Sequence, residues 1–279
     1  MTPNQEINLP YFDHLLTSFQ QGNNDMVTIF GRHVHWGYWE NPNSADGSPQ
    51  DFAQAAENLS RRVCDAGEIS DGMRVLDCGC GFGGTIASLN ERFTNMQLVG
   101  LNIDARQLTR ARELVHPRSN NSIEFVEGDA CQLPFADNSV DRVLAVECIF
   151  HFPSRQRFFQ EAWRVLKPGG KLAICDFVPL QALQPFLQLG GKILKPKIGS
   201  YYGDVDTSYT LSAYRELAKT VGFTPLVTED ITTNTLPTYP VVRQMQLDDG
   251  NIESEKATAV AEWLGRWGII RYLILSYSK

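Results

Sequence analysis

Residues 73–85 read Met-Arg-Val-Leu-Asp-Cys-Gly-Cys-Gly-Phe-Gly-Gly-Thr and decide the fold. The apolar pair Val75 and Leu76 predicts a short strand buried on both faces, with Asp77 at its carboxyl end. Glycine then recurs at alternate positions: Gly79, Gly81 and Gly83. Glycine permits a tight turn and a close approach of the backbone to a ligand. Because ligands of open α/β sheets bind beyond the carboxyl ends of the strands, the stretch predicts a ligand site there.

The order Asp-x-Gly-x-Gly-x-Gly, which begins at Asp77, differs from the Gly-x-Gly-x-x-Gly of dinucleotide sites. Those sites present a helix N-terminus to a pyrophosphate, whereas a carboxylate before the glycines suits a ligand with cationic groups. The stretch resembles the first motif of class I S-adenosylmethionine-dependent methyltransferases, whose cofactor carries a sulfonium and an α-ammonium. The resemblance implies that S-adenosylmethionine is the cofactor. Its expected contacts in this stretch are Asp77, Gly79, Cys80 and Gly81.

The composition is that of an ordinary globular protein, with 43% hydrophobic and 20% charged residues among 279. A formal net charge of −7 without a basic cluster argues against a nucleic-acid partner. No apolar run approaches the ~20 residues of a membrane span, and the N-terminus differs from a signal peptide. We therefore predict a cytoplasmic protein that acts on a small molecule. The six cysteines include no Cys-x-x-Cys pair, which favours reduced core cysteines over a metal site.

Predicted strands and helices alternate from residue 71 to 178, a pattern typical of a parallel sheet. Strands are expected at 75–76, 97–102, 123–127, 140–146, 171–177, 224–233 and 269–277. We predict an α/β fold with a doubly wound, mostly parallel seven-stranded sheet. The expected single domain, 1–279, comprises an N-terminal helical cap (1–70), a cofactor-binding core (71–178), a lid or substrate insertion (179–210) and a C-terminal part of the sheet (211–279). A helix is expected within the insertion at 180–189.

An aromatic stretch, residues 35–39, reads His-Trp-Gly-Tyr-Trp and follows a predicted amphipathic helix that begins near Tyr11. Either this stretch packs as a cap over the sheet, or its rings form a wall that faces a sulfonium through cation–π attraction. Tyr11 and Trp36 are therefore candidates for contact with the cofactor. His33 and His35 suggest a metal, but no matching third ligand is nearby, and catalytic metal sites usually have three protein ligands.

Asn102 ends the second predicted strand, 25 residues after Asp77. In nucleotide-binding sheets this position meets the ribose hydroxyls, usually through Asp or Glu. An asparagine amide still forms a hydrogen bond to a hydroxyl but carries no charge, which argues against an NAD site. We expect Asn102, together with the neighbouring Ile103 and Gln107, to line the cofactor site.

The tripeptide Gly128-Asp129-Ala130 follows the third predicted strand. The resemblance to the methyltransferases implies an adenine site at this point. The Asp129 carboxylate would accept a hydrogen bond from the exocyclic amine, and the Ala130 amide would donate one to a ring nitrogen.

Longer runs carry the resemblance further along the chain. LPFADNSVDRVLA (133–145) and RVLKPGGKL (164–172) are characteristic of small-molecule methyltransferases of this class. The runs at 35–39, 99–104 and 146–170 resemble the erythromycin-type sugar O-methyltransferases of natural-product biosynthesis. Asparagine also occurs in that subgroup at the position of Asn102.

Three residues near the ends of the fourth and fifth strands are candidates for the chemistry of methyl transfer. An alcohol acceptor must lose its proton, and a base of near-neutral pKa assists this step. His151 is the expected base because histidine ordinarily titrates near pH ~6.5. Asp176 is expected to orient His151 or to share the role of base, and Glu147 to contact the cofactor or the acceptor. The structural alternatives are that His151 caps a packed turn and Asp176 caps a helix.

The function that these observations favour is O-methylation of a hydroxyl on a small-molecule secondary metabolite. N- or C-methylation of a small molecule is the first alternative. A non-catalytic S-adenosylmethionine-binding module and a nicotinamide enzyme are the others. The glycine spacing argues against the nicotinamide enzyme, and intact His151 and Asp176 argue against the non-catalytic module. The acceptor and the oligomeric state are left open.

Overall fold

The computed structural model describes residues 9–183, 203 and 205–279. The strands are β1 (Arg74–Cys78), β2 (Gln97–Asn102), β3 (Ser122–Glu127), β4 (Val140–Val146), β5 (Leu166–Pro179), β6 (Thr224–Asp230) and β7 (Ile270–Ser278). They form one seven-stranded sheet in the order β3-β2-β1-β4-β5-β7-β6. β7 pairs antiparallel with β5 and β6, and the remaining neighbours pair in parallel. The predicted fold class is confirmed.

Helices flank the sheet, and most of them begin at a side chain that accepts a hydrogen bond from a first-turn amide. Their bounds are α1 (Pro10–Gln20), α2 (Asn24–Phe30), α3 (Pro49–Ala66), α4 (Gly84–Arg92), α5 (Ala105–Leu114), α6 (Arg155–Val165), α7 (Leu211–Val221), α8 (Thr232–Thr235), α9 (Thr238–Asp248) and α10 (Ile252–Arg266). The capping residues include Asn23, Ser48, Asp104, Ser154 and Thr210. Across the described ranges, no helix is both long and apolar enough to cross a bilayer.

The hydrophobic core lies in two layers, one on each face of the sheet. Successive side chains of a strand point to opposite faces, so Val75 and Leu76 belong to different clusters. The Val75 cluster packs under α3 and α4 through Leu59 and Ile86. The Leu76 cluster packs under α6 and α7, with Phe158 among its fully buried rings. Apolar side chains therefore cover the central strands on both faces of the sheet.

The parallel register brings the carboxyl ends of the central strands to one edge of the sheet. Cys78 at the end of β1 pairs with Leu101 in β2, and Asn102 pairs with Glu127 in β3. Val146 at the end of β4 pairs with Cys175 in β5. The polar residues that follow these strands therefore meet at this edge.

The N-terminal segment covers the same edge. Phe12 of α1 packs edge-on against Phe82, with ring centroids 5.6 Å apart. Arg110 of α5 lies over Phe19 of α1, 4.4 Å from the ring centroid. α2 was not predicted. Of the insertion at 179–210, the structure describes residues 179–183, 203 and 205–210, and these include a short 3₁₀ turn, Gln181–Leu183. Most of the helix expected at 180–189 lies outside the described residues. The predicted division of the domain stays a prediction.

Candidate functional site

A cavity of about 470 Å³, here called the larger cavity, lies at the carboxyl edge of the sheet. Most of the predicted site residues line it. They are Tyr11, Asp77, Gly79, Cys80, Gly81, Asn102, Ile103, Gln107, Asp129, Ala130, Glu147 and His151. Trp36 and Asp176, the two other predicted residues, do not line it.

The glycine loop turns from β1 into α4 with its backbone facing the larger cavity. Gly79 and Gly81 both have positive φ, +74° and +54°, which side-chain-bearing residues rarely adopt. A Cβ added at Gly79 would lie 2.8 Å from Sγ of Cys148, so the loop packs closely there. A Cβ at Gly81 would meet no atom within 4 Å. The open side of the loop at Gly81 therefore leaves room for a ligand to approach the backbone.

Asp77 supplies a buried acceptor at the base of the larger cavity. It is 1% exposed, and its Oδ2 has no hydrogen-bond partner among the described residues. Burial raises the pKa of Asp77 to about 8. A buried carboxylate without a partner is costly, and a cationic ligand group offsets that cost. The site therefore fits the α-ammonium group of S-adenosylmethionine.

The residues expected around the ribose and adenine are held by bonds within the protein. Asn102 Oδ1 accepts from the Asp104 amide at 3.1 Å, and Asn102 Nδ2 donates to Gln107 Oε1 at 2.9 Å. Asp129 Oδ1 accepts from the Cys131 amide at 2.8 Å. Ile103 is 39% exposed on the cavity wall. These bonds fix the orientation of the polar groups before a ligand binds.

His33 and His35 line the larger cavity and form a buried chain of hydrogen bonds. His33 Nε2 lies 2.8 Å from Glu57 Oε2, and His35 Nε2 lies 3.1 Å from His33 Nδ1. His35 Nδ1 lies 2.9 Å from the Trp36 carbonyl, which only accepts, so this nitrogen donates. Burial lowers the pKa of His35 to about 3, which keeps its ring neutral. Protein partners occupy all four ring nitrogens, so both rings serve to anchor the aromatic stretch.

A smaller cavity of about 200 Å³ adjoins the larger one. The two share part of their walls, through Tyr11, Val34, His35, Glu147, Phe150, His151 and Val205. The remaining wall is largely apolar and comes mostly from α9 and α10, with Val242, Met245, Ala257, Ala261 and Leu264 among its residues. The site therefore consists of a mixed polar cavity at the glycine loop and an apolar cavity beside it.

His151 lies at the boundary of the two cavities. It ends a 3₁₀ turn, Ile149–His151, directly beyond β4, and its amide donates to the Cys148 carbonyl at 2.9 Å. The Tyr11 hydroxyl lies 3.4 Å from His151 Nε2. A polar ring nitrogen is thus held between the two cavities.

Glu147 lies at the same boundary in an unusual backbone conformation. Its φ is +51°, a strained region for a residue with a side chain. The Trp36 amide donates to its carboxylate at 3.0 and 3.1 Å, and the Tyr272 hydroxyl also donates to it. Burial raises the pKa of Glu147 to about 8, although these hydrogen bonds oppose the shift. Glu147 thereby ties the aromatic stretch to the end of β4.

The position of Trp36 differs from the prediction that this residue lines the cofactor site. Its ring lies on the wall of the smaller cavity, with centroids 4.4 Å from Tyr239 and 4.8 Å from Phe177. Both contacts are edge-on aromatic packing. Of the two interpretations of the aromatic stretch, the packed cap describes Trp36 better.

Asp176 also differs from its expected position. It is fully buried, lines neither cavity, and makes no hydrogen bond to His151 among the described residues. Its Oδ2 accepts from Arg155 Nη2 at 3.0 Å and from the Tyr214 hydroxyl, and its Oδ1 accepts from the Phe177 amide at 2.8 Å. Burial raises the pKa of Asp176, whereas Arg155 and Tyr214 oppose the shift. The prediction that Asp176 orients His151 or acts as a base is therefore not supported, because its carboxylate is used by the ion pair.

Several cavity residues were not predicted from the sequence. In the larger cavity these include Arg32, Phe82, Thr85, Phe152 and Asp206. Phe82 lies inside the glycine motif and Phe152 follows the predicted base. Their proximity in the sequence to predicted site residues could therefore have identified both as cavity residues. The residues from α9 and α10 carried no local signal, because an apolar position on a helix predicts core packing equally well.

Comparison with known proteins agrees with this arrangement. A family model described as "Methyltransferase domain" matches residues 76–174. The chain is 32% identical to the methyltransferase GfsG of Streptomyces halstedii over 228 residues, which cover 80% of this chain and 77% of that protein. It is 29% identical to the erythromycin 3''-O-methyltransferase of Saccharopolyspora erythraea over 213 residues, 75% of this chain and 68% of that protein. The chain therefore belongs to the class I S-adenosylmethionine-dependent methyltransferases, and its cofactor is S-adenosyl-L-methionine.

A relative named for methylation of carbon also matches, and so does a solved structure with a different name. The chain is 30% identical to the sterol 24-C-methyltransferase of Pneumocystis carinii over 232 residues, 77% of this chain and 58% of that protein. The solved structure of mycolic acid cyclopropane synthase CmaA1 with SAH and CTAB has a TM-score of 0.78 at 17% identity, and the match covers 97% of this chain and 99% of that chain. The latter likeness shows the fold.

Proposed function

We propose that this methyltransferase transfers the methyl group to a hydroxyl of a small-molecule secondary metabolite, with His151 as the general base. The observation that carries the proposal is that His151 lines both cavities. A base must reach the acceptor hydroxyl while that hydroxyl faces the methyl donor. One relative supports the substrate class, because it is named for O-methylation of erythromycin.

The larger cavity would hold the cofactor. Asp77 would accept from the α-ammonium, Asn102 would bond to the ribose, and Asp129 with Ala130 would contact the adenine. When bound, S-adenosyl-L-methionine supplies an electrophilic methyl group on its sulfonium. The backbone of the glycine loop, open at Gly81, would let the cofactor approach closely.

The smaller cavity would hold the part of the acceptor that carries the reacting hydroxyl. Its apolar walls would exclude water from the boundary, and a bulky, partly hydrophobic molecule suits them. His151 would take the hydroxyl proton as the new carbon–oxygen bond forms. The Tyr11 hydroxyl, 3.4 Å from His151 Nε2, would help to hold the ring in place.

C-methylation is a second candidate function. Glu147 places a second buried carboxyl group between the cavities, and a sterol C-methyltransferase is among the relatives. Removal of a proton from carbon needs a well-placed base, and Glu147 is the candidate for it. N-methylation needs little base catalysis if the amine binds neutral, so it predicts a small effect of changes at His151.

The predicted cytoplasmic location stays a prediction.

The experiment that separates these functions is product analysis. Purified protein is incubated with S-adenosyl-L-methionine and hydroxylated macrolide, glycoside and sterol acceptors, and mass spectrometry detects the added methyl group. Nuclear magnetic resonance then assigns the methyl to oxygen, nitrogen or carbon. A methyl on oxygen agrees with the proposal, whereas a methyl on carbon would favour Glu147 as the base.

A further inference from the structure

Arg155 is a buried cation at the start of α6, and it links three separate parts of the chain. It is only 3% exposed. Its Nε and Nη2 donate to Asp176 Oδ2 at 3.3 and 3.0 Å, and Nε also donates to the Tyr214 hydroxyl at 2.9 Å. The guanidinium lies 4.8 Å from the centroid of the Tyr209 ring. A buried charge is tolerated only when it is paired and bonded, so this arrangement is specific.

The third part of the chain is Asp206, in the returning end of the 179–210 segment. Arg155 Nη1 donates to Asp206 Oδ2 at 2.8 Å, and Nη2 donates to the Asp206 carbonyl at 2.5 Å. The Asp206 amide donates to the Phe150 carbonyl at 2.9 Å. Asp206 is therefore joined on one side to the buried ion pair and on the other to the turn that carries His151.

Residues 205–207, here called the 205–207 wall, border both cavities. Val205 lines both cavities, Asp206 the larger one and Thr207 the smaller one. Arg155 and Asp176 themselves line neither cavity. The Arg155–Asp176 ion pair therefore contacts the 205–207 wall without lining either cavity.

We propose that Arg155 and Asp176 are positioning residues, which hold the 205–207 wall against the Phe150–His151 turn and so set the acceptor position relative to the base. Asp176 is anchored in the sheet and neutralises the guanidinium, and the guanidinium fork holds the wall through two oxygens of Asp206. A planar fork can hold two oxygens at fixed geometry, which a lysine ammonium cannot. The kinetic test of this proposal rests on the proposed function, because it measures the KM of a methyl acceptor.

The test compares Arg155→Lys with Arg164→Lys, which is a matched control. Arg164 also bonds to carboxylates and carbonyls, with Nη1 2.8 Å from Asp137 Oδ1, but none of its partners lines either cavity, whereas Asp206, a partner of Arg155, lines the larger one. In Arg155→Lys we expect the acceptor KM to rise roughly tenfold, because small displacements of a binding wall weaken productive contacts. The cofactor Kd, measured by calorimetry, should change by a smaller factor than the acceptor KM, and the apparent pKa in the kcat profile should not move.

Asp206→Asn guards against loss of folding, and Asp176→Asn tests whether Asp176 takes part in proton transfer. Asp206→Asn changes a half-exposed side chain and keeps the carbonyl contact, so its acceptor KM should rise by a smaller factor, about threefold. Asp176→Asn should leave the apparent pKa of the kcat profile unchanged. If Asp176→Asn shifts that pKa, Asp176 takes part in proton transfer and the positioning role is wrong.

Hydrogen exchange gives a readout that does not depend on the reaction. The Asp206 amide, bonded to the Phe150 carbonyl, should exchange at least about tenfold faster in Arg155→Lys than in Arg164→Lys. Equal exchange and an equal acceptor KM in the two variants would overturn the proposal. If the wild-type enzyme methylates carbon, the proposed function fails, but the same KM comparison with that acceptor and the exchange measurement still decide the positioning role.

Discussion

The hydroxyl of Tyr11 lies 3.4 Å from Nε2 of His151, and the two rings stack with centroids 6.0 Å apart. These residues are 140 positions apart in the sequence. Their contact joins α1 to the turn after β4, at the boundary of the two cavities. The orientation of the proposed base therefore depends on how α1 covers the edge of the sheet.

Replacement of His151 tests its role as the base. Glutamine retains a polar side chain but does not take up a proton near neutral pH. We expect His151→Gln to lower kcat by about 100-fold or more on a hydroxyl acceptor, the usual contribution of a general base. Single-turnover kinetics at pH 7 measure the effect on the chemical step.

Two variants accompany this measurement. His116→Gln changes an exposed histidine and should leave kcat unchanged. Tyr11→Phe removes the hydroxyl beside His151 and should cost less, about fivefold, because the base itself remains. A loss below tenfold in His151→Gln would exclude the base role and favour N-methylation or Glu147 as the base.

The glycine loop allows a test of cofactor binding with a matched control. Gly81 and Gly72 both have positive φ, and an added Cβ at either would meet no atom within 4 Å. Alanine should therefore cause similar backbone strain at both, on the order of 1 kcal/mol. Gly81 lines the larger cavity, whereas Gly72 does not.

We expect Gly81→Ala to weaken binding of S-adenosylhomocysteine, the cofactor product, by about tenfold or more, because the alanine methyl group occupies space near the loop backbone. Gly72→Ala should bind it as the wild type does. Calorimetry measures both affinities, and thermal melting checks that the two variants lose similar stability. Equal affinities would show that the cofactor does not approach Gly81.

Local patterns predicted the central sheet well. The predicted bounds of β2 and β4, 97–102 and 140–146, agree with the structure, because each strand contains an apolar run, at 98–101 and 143–146. β5 begins at Leu166, five residues before the predicted strand at 171–177. Leu166 pairs with Val140 beyond a register shift in the ladder, which no local pattern reveals.

The candidate site was predictable only in part. Residues at the carboxyl ends of parallel strands, such as Asp77 and Asn102, converge because the topology requires it. Arg155 and Asp176 lie 21 positions apart on different elements, and nothing in either local sequence shows that they pair. The walls from α9 and α10 depend on how distant helices pack, so this part of the smaller cavity could not be predicted from the sequence.

Asp77 should make the stability of the ligand-free protein depend on pH. Its pKa is about 8 in the folded state, against about 3.9 for an unfolded chain. Between these values the folded state binds more protons than the unfolded state, so stability falls as pH rises from about 4 to 8. The slope from this one group is at most about 1.4 kcal/mol per pH unit.

Urea unfolding at several pH values measures this slope. Asp77→Asn cannot ionise, so its free energy of unfolding should fall less steeply with pH than that of the wild type. Glu147 contributes in the same direction, because burial also raises its pKa to about 8. The exposed Asp25→Asn variant serves as the control for the substitution itself. Equal slopes in wild type and Asp77→Asn would mean that Asp77 is not a buried acid in the folded protein.

The same carboxyl group should release a proton when the cofactor product binds. In the ligand-free protein near pH 6.5 Asp77 is protonated, because burial raises its pKa to about 8. The ammonium group of S-adenosylhomocysteine would favour the ionised form, since a nearby positive charge lowers a carboxyl pKa. Calorimetry in two buffers of different ionisation enthalpy should detect about one proton released per site. Asp77→Asn should bind with little release, whereas Glu147→Gln should retain it. Release that persists in Asp77→Asn would assign the ammonium to a different acceptor.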